Sequence, residues 1–339
     1  MDDWAHDGVP FLAVYNSESL YMWDELGKTG KPNARFAKWR LNSLGFRGDE
    51  IVDGRIRVAC VGSSETFGLY ERAGGEWPKR LEIELNMRAG RDAYQVVNAA
   101  YPGMSIASTL IRLPRILREV DPQVIVVYPS FSSYIWLPWL EPRKHTTPPV
   151  PRFELRIAGR LRNLIKDALP AAVQHHLRRL EIHHALGDQQ VMERLPGENV
   201  ERFRADLERL IDAATEDNRK VVLVTHATRF GPEKQPDDDY YLVAWRRSYP
   251  IIREEGLLDM EARMNAVIRD LGRSRGLVVV DAAEVMEPGS KYFVEFVHFT
   301  DAGAEKLASL VADGLAELNH CTEHSEEGGC DSHARFARK

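Results

Sequence analysis

The chain has 339 residues, of which 44% are hydrophobic and 28% charged, so it can bury a substantial core as one large domain or as one domain with an insertion. Its net charge of -6 argues against nucleic acid as a partner, because proteins that bind nucleic acid usually carry a basic excess. The N-terminus is acidic where a signal peptide is basic, and no apolar run approaches the roughly 18 residues of a membrane span, so we expect a cytoplasmic protein without a transmembrane segment.

Short β-branched runs alternate with amphipathic stretches of helical period from residue 55 onward. Residues 1–54 show no strong periodic pattern, and we expect an irregular N-terminal extension packed on the core. Strands are predicted at 56–62, 94–98, 123–129, 220–226 and 276–281. Helices are predicted at 76–89, 105–119, 200–217, 259–274 and 301–318, with Thr300 as the N-cap of the last one.

The predicted strands are apolar along their whole length rather than at alternate positions, as expected for strands buried on both faces. With helical crossovers between them, they predict an α/β fold: a three-layer α/β/α, flavodoxin-like sandwich with a five-stranded parallel sheet. Residues 131–199 are too long for an ordinary crossover and predict a helical insertion or lid between the third and fourth strands. Residues 227–258 predict a long loop or second flap, and the polar residues 319–339 predict a disordered tail.

The residues that follow the strands carry the candidate chemistry, because ligands of an open α/β sheet bind beyond the carboxyl ends of its strands. The sequence GSS, which ends at Ser64, follows the first strand, residues 98–103 follow the second and residues 130–133 follow the third. Glu295 and His298 stand ahead of the last helix. A serine, a histidine, a carboxylate and several backbone donors are therefore predicted to converge on one edge of the sheet.

This set of groups is what nucleophilic acyl transfer requires: a serine, an imidazole base, a carboxylate that orients the base, and donors aimed at the oxyanion. The turn is not the nucleophile elbow of α/β-hydrolases, because that motif puts glycine at the position of Thr66. No Gly-Lys-Ser/Thr sequence follows, which excludes a phosphate-binding P-loop.

The same residues resemble a known family, the bacterial SGNH or GDSL esterases and acyl-hydrolases, over roughly residues 40–318. The family's Gly-Asp-Ser block is matched by GSS followed by E and TFG, and its Asp-x-x-His block is matched by Glu295 and His298. The resemblance implies that Ser64 is the nucleophile, His298 the base and Glu295 the orienting carboxylate, in a hydrolase domain at residues 55–318.

The resemblance also implies an oxyanion hole that includes the amides of Ser64 and Gly103. In its third block the family has Gly-x-Asn-Asp, whereas this chain has YPSFSSY, with Ser132 at the position of the asparagine. Ser132 is a candidate third donor, although its hydroxyl is shorter than the amide. Loss of one oxyanion donor typically costs about 10²- to 10³-fold in rate, so this position separates a competent from an impaired catalyst.

Four further residues are candidate substrate contacts. Trp136 and Trp139 follow the third block and Trp245 lies in the second flap, where they either line a sugar or acyl pocket or pack the lid. His226 ends the fourth predicted strand, where it either contacts substrate or has a structural role. The mechanism needs no cofactor and no metal, and the His and Cys spacing of the tail fits no zinc pattern.

These observations predict a serine esterase that acts on O-acyl esters of a carbohydrate or related small molecule. Two alternatives remain open at this point. One is an O-acyltransferase on the same scaffold. The other is a catalytically impaired carbohydrate-binding or scaffold protein, suggested by serines at positions 63 and 132, where the family has aspartate and asparagine.

Overall fold

A computed structural model describes residues 17–135, 171–186 and 190–324 of the chain. The sequence predicted an irregular N-terminal extension, but residues 17–54 contain a helical turn at Ser17–Leu20 followed by two short antiparallel hairpins. The hairpin strands are β1 (Tyr21–Asp24) with β2 (Gly27–Gly30), and β3 (Arg35–Phe36) with β4 (Trp39–Arg40). The buried side chains of Leu20, Trp39 and Phe46 belong to the same hydrophobic core as the central sheet.

The central sheet has five parallel strands, as the sequence predicted. They are β5 (Ile56–Gly62), β6 (Tyr94–Asn98), β7 (Val124–Tyr128), β8 (Lys220–Val224) and β9 (Val278–Val280). Their order across the sheet is β6-β5-β7-β8-β9. The second strand, β6, thus lies on one side of β5, and the later strands are added in turn on its other side. This is the doubly wound, flavodoxin-like order, and it confirms the predicted fold class.

Both faces of the sheet are buried, which explains the continuous apolar runs of its strands. In β5, Ala59 and Val61 face one hydrophobic core, whereas Val58 and Cys60 face a second core on the opposite side. The alternation follows from the period of two of a strand. The sheet is therefore the middle of three layers.

Five long helices cover the sheet, and all five correspond to predicted helices. They are Trp77–Ala89, Ile106–Val120, Gly197–Thr215, Glu254–Arg275 and Asp301–His324. The first and last cover one face, and the other three cover the opposite face. The N-cap predicted at Thr300 is confirmed, because its hydroxyl accepts a hydrogen bond from the amide of Gly303 at 3.1 Å.

The segments predicted as irregular differ from expectation in two places. The predicted loop at 227–258 contains a helix, Asp238–Ser248, and the predicted tail begins inside the helix Asp301–His324. In the first helix, the buried side chains of Val243 and Trp245 provide tertiary packing for a segment of mainly polar sequence. Of the predicted insertion, the structure describes the short helix Ser132–Ile135 and the helix Ala171–Leu186, whereas residues 136–170 lie outside the described part. No helix within the described ranges combines the length and the apolarity needed to cross a bilayer.

Candidate active site

The turn after β5 presents Ser64 as the first residue of a one-turn helix, Ser64–Phe67. Gly62 is required before it, because a Cβ at that position would lie 2.2 Å from the hydroxyl oxygen of Thr66 and 2.6 Å from the carbonyl oxygen of Tyr128. Gly68, with a φ of 84°, ends the helix in the left-handed region that favours glycine. The glycines of the GSSETFG sequence thus fix a tight turn that leaves the Ser64 side chain half-buried.

The far end of this turn is held by polar side chains from outside it. The buried guanidinium of Arg47 donates a 2.6 Å hydrogen bond to the carbonyl oxygen of Gly68 and forms a 2.7 Å ion pair with Glu76. The side-chain amide of Asn98, the last residue of β6, donates to the carbonyl oxygen of Thr66 at 2.8 Å. The N-terminal segment therefore supports the position of Ser64.

His298 lies in a tight loop that is closed by Glu295. One carboxylate oxygen of Glu295 bonds both the Nδ1 atom of His298 and, at 2.9 Å, the backbone amide of the same residue. The Glu-x-x-His spacing thus lets one carboxylate fix the imidazole and the loop. The other ring nitrogen, Nε2, is buried without a hydrogen-bond partner in the described part of the chain.

A cavity of about 250 Å³ opens at the carboxyl edge of the sheet. It brings together six of the residues predicted from the sequence, whereas Glu295 lies behind His298. The predicted residues that line it are Ser64, Gly103, Ser132, His226, Trp245 and His298. Trp136 and Trp139 lie outside the described residues.

The hydroxyl of Ser64 is hydrogen-bonded to a residue that the sequence did not suggest. It donates to the Oε2 atom of the neighbouring Glu65 at 3.2 Å. Among the described residues, no hydrogen bond joins Ser64 to His298, although both line the same cavity. For Ser64 to act as a nucleophile, its proton has to turn from Glu65 towards the imidazole.

The predicted oxyanion donors also have partners of their own. The amide of Gly103 donates to the hydroxyl of Ser63 at 3.1 Å. The hydroxyls of Ser132 and Ser130 are hydrogen-bonded at 3.2 Å, and Ser132 also bonds the hydroxyl of Tyr249, whose pKa burial raises to about 12. A bound oxyanion would take the place of some of these contacts.

A second imidazole, that of His226, sits between two buried carboxyl groups. Its Nδ1 atom lies 2.8 Å from Glu261, and its Nε2 atom lies 3.5 Å from the Oε1 atom of Glu65. The first separation is a hydrogen bond, whereas the second is an ion-pair contact with poor hydrogen-bond geometry. His226 therefore links Glu261 to the carboxylate that holds Ser64.

The pKa values of these groups reflect burial opposed by neighbouring charges. Burial disfavours the imidazolium of His298, but the charge of Glu295 and the hydrogen bond to it outweigh burial and raise the pKa of His298 to about 9. In the same way Glu261 and Glu65 raise the pKa of His226 to about 10. Burial also opposes ionisation of Glu65, yet the two histidines lower its pKa to about 2.

An aromatic stack forms one wall of the cavity. The ring of Trp245 stacks on Phe230 and on Phe296, with centroid separations of 5.7 Å and 5.5 Å. Phe296 and Trp245 line the cavity. The cavity therefore has an apolar wall as well as the polar groups around Ser64.

Sequence reasoning missed Glu65, Glu261 and Tyr249 as residues of the cavity. The sequence does contain a signal for Glu261, because it occupies a position on the buried face of the helix Glu254–Arg275, four residues after the buried Leu257. A charged residue within an apolar stripe needs a buried partner. Within the described residues, no group of three or more His, Cys, Asp or Glu side chains is arranged to hold a metal ion.

No protein-family model matches the chain, and no curated protein matches it. Several solved structures do. An acetyl xylan esterase, AlAXEase, is 14% identical, with 77% of this chain and 100% of the other covered and a TM-score of 0.46. An acetylxylan esterase from Geobacillus stearothermophilus, solved as a catalytic mutant, is 12% identical, with coverage of 78% and 95% and a TM-score of 0.44.

A GDSL-like lipase from Bacteroides thetaiotaomicron is 13% identical, with coverage of 80% and 92% and a TM-score of 0.43. These proteins are of the kind that the motifs of this chain resemble. Their sequence identities are low and their TM-scores lie below 0.5, so the fold of this chain rests on its own sheet order and its function on its own cavity.

Proposed function

We propose that the protein is a serine esterase that acts on O-acyl esters through Ser64, His298 and Glu295. One observation carries this proposal: the Nε2 atom of His298 is buried without a partner beside a cavity that Ser64 also lines, while Nδ1 is held by Glu295. A buried ring nitrogen without a partner is costly, so its retention favours a role in proton transfer.

The proposed reaction follows from the chemistry of these three groups. The Ser64 oxygen attacks the acyl carbonyl while the Nε2 atom of His298 takes its proton, and Glu295 stabilises the imidazolium that forms. The imidazolium then protonates the leaving alcohol as the carbon–oxygen bond breaks. Water attacks the acyl-enzyme with His298 as base, which releases the acid and restores Ser64.

The oxyanion of the tetrahedral intermediate needs donors close to the carbonyl carbon. The amides of Ser64 and Gly103 are proposed to supply two of them, with the Ser132 hydroxyl as a third. Gly103, with a φ of 82°, adopts a conformation that favours glycine, and no atom lies within 4 Å of the position that a Cβ would take. Its amide reaches an oxyanion only when the Ser63 hydroxyl gives up its hydrogen bond.

The size and lining of the cavity favour a small ester. Its volume of about 250 Å³ lies below the roughly 300–1,000 Å³ of pockets that take drug-sized ligands. Polar groups surround Ser64, and the wall of Trp245 and Phe296 is apolar. A short acyl group on a carbohydrate or another small alcohol is therefore the proposed substrate class.

A second candidate, a scaffold protein that binds carbohydrate without catalysis, is favoured by a specific observation. The Ser64 hydroxyl is bonded to Glu65 rather than to His298, and the Gly103 amide is bonded to Ser63. Both contacts occupy groups that the esterase reaction needs. A test has to ask directly whether Ser64 is nucleophilic.

A fluorophosphonate probe provides that test, because it forms a covalent bond only with an activated serine. We expect the wild-type protein and the Ser63→Ala variant to be labelled, and the Ser64→Ala variant to remain unlabelled. Ser63 is the matched control because it neighbours Ser64 in the same turn. An unlabelled wild-type protein would exclude the esterase and leave the scaffold.

A further inference from the structure

Behind Ser64 lies a buried group of charges that the proposed triad does not use. It consists of Glu65, His226 and Glu261, and is named here the Glu65–His226–Glu261 cluster. All three side chains line the cavity, and the Glu65 residue is only 4% exposed. Buried charges of this kind are costly unless they are paired, so a cluster beside a reacting serine calls for a function.

From this geometry we propose that Glu65, held by His226 and Glu261, is a positioning residue that holds the Ser64 side chain at the cavity between reaction cycles and fixes a negative charge on the wall of the cavity that His298 also lines. The proposal rests on the esterase function proposed above. It adds a second carboxylate to the reaction, distinct from Glu295 in its partners and in its place in the fold.

The two carboxylate oxygens of Glu65 have separate partners. Oε2 accepts the hydrogen bond of the Ser64 hydroxyl at 3.2 Å, and Oε1 faces the Nε2 atom of His226 at 3.5 Å. The carboxylate is therefore held on one side while its other oxygen faces the nucleophile. Glu65 also follows Ser64 directly in the one-turn helix, so its backbone moves with that of the nucleophile.

His226 is fixed on its other side by a single helix. Within the helix Glu254–Arg275, Glu261 bonds the Nδ1 atom of His226 at 2.8 Å, and one turn later the side chain of Asn265 bonds both backbone groups of His226, at 2.8 Å and 2.9 Å. Side chains four residues apart share one helix face. The position of His226, and through it that of Glu65, is thereby set by a rigid element.

The charge of Glu65 acts on His298 together with other groups that face this imidazole. Glu295 bonds the imidazole, and Glu71 lies in the segment after the nucleophile turn. The ring of Tyr70 packs against the imidazole, with the two ring centroids 5.2 Å apart. An anion near an imidazole favours the imidazolium form. Glu65 therefore stabilises the charge that develops on His298 during attack, and it also makes the free base scarcer at neutral pH.

The test measures the pH profile of kcat/KM for a short aryl ester in three variants. Glu65→Gln removes the charge but keeps an acceptor oxygen, Glu65→Asp keeps the charge but shortens the reach, and Glu261→Gln changes a carboxyl group of the same cluster that does not contact Ser64. For Glu65→Gln we expect the inflection assigned to His298 to fall by about one pH unit, as the loss of a nearby anion predicts. We also expect its plateau to fall about tenfold.

The other two variants separate charge from structure. Glu65→Asp is expected to keep the wild-type inflection and lose only part of the plateau, and Glu261→Gln is expected to shift the inflection by less than half as much as Glu65→Gln. A lower plateau with an unmoved inflection in Glu65→Gln would overturn the proposal. Equal shifts in Glu65→Gln and Glu261→Gln would overturn it as well, because the location of the charge would then not matter.

A measurement without turnover keeps this test separate from that of the esterase function. The His298 ring of the ¹⁵N-histidine-labelled protein is titrated by NMR, with the His298→Ala spectrum used for assignment. A lower His298 pKa in Glu65→Gln supports the placement of the charge even in a protein that the fluorophosphonate probe does not label. An unchanged His298 pKa in a labelled protein overturns the inference and leaves the esterase standing.

Discussion

Two histidines line one cavity, each paired with a glutamate, and the two pairs differ in what surrounds them. In the outer dyad, His298 and Glu295 are three residues apart in one loop, and their side chains are 15% and 17% exposed. In the inner dyad, His226 lies in the loop after β8 and Glu261 in a helix, and their side chains are 2% and 9% exposed. In both dyads a glutamate holds the Nδ1 atom.

The difference lies at the opposite ring nitrogen. The Nε2 atom of His226 faces the carboxylate of Glu65, so that imidazole is a fixed cation between two carboxyl groups. Neither Nε2 atom has a hydrogen-bond partner in the described part of the chain, but that of His298 also has no carboxylate within ion-pair distance there. The inner dyad is thus suited to structure and electrostatics and the outer dyad to proton transfer, because only in the outer dyad does the Nε2 atom face no carboxylate.

The largest expected difference between the dyads is in catalysis. We expect His298→Ala to lower kcat/KM for a short aryl ester by at least about a thousandfold, as loss of a triad member usually does. The urea unfolding free energy of the same variant should fall by less than that of His226→Ala, because His298 and Glu295 are more exposed than His226 and Glu261 and removal of the ring strands one carboxylate rather than two. Retention of most of the activity would show that His298 is not the base.

The reverse pattern is expected for the inner dyad. His226→Ala removes the cation between Glu65 and Glu261, and breaking a buried ion pair in this way typically costs about 3–5 kcal/mol of the free energy of unfolding. Urea denaturation at pH 7 measures this loss. It should be smaller at pH 4, because the partnerless Glu65 of the variant can take a proton, whereas wild-type Glu65 keeps its stabilising charge until the pH falls towards its pKa of about 2. A fully stable His226→Ala variant would remove the contrast between the dyads.

A smaller effect is expected in the pH dependence of the wild-type protein. The pKa of His298 is raised to about 9, so its neutral, basic form is lost as the pH falls below that value. The value of kcat/KM should therefore rise by about tenfold per pH unit between pH 6 and pH 8 and level off near pH 9. A profile that is already flat at pH 7 would show that neighbouring carboxylates do not hold the imidazole in its charged form.

Most of the fold could be predicted because its signals are local. The strands β5 and β6 begin and end where the sequence predicted, since continuous β-branched runs bounded by turn residues leave little choice. The N-terminal hairpins could not be predicted, because strands of two to four residues carry no periodic signal. Their conformation depends on packing against the core rather than on their own sequence.

The site could be predicted in part for a similar reason. Ser64 and His298 lie in local motifs, GSS and Glu-x-x-His, and both line the cavity. Glu65 was visible in the first motif, but its role depends on His226, which is distant along the chain. The partner of a buried charge is a property of the tertiary fold, so the sequence alone could not show that Ser64 donates to Glu65.

The buried Arg47 has a consequence for how the molecule can be divided. Its guanidinium bonds the end of the nucleophile turn from a segment that precedes β5 and that sequence reasoning treated as an extension. A truncated protein that starts at β5 would keep every strand of the central sheet and every candidate catalytic residue. It would, however, leave Glu76 buried without its cation, and the turn of Ser64 would lose the hydrogen bond from Arg47 to Gly68. The smallest catalytic unit is therefore larger than the smallest unit that contains the fold.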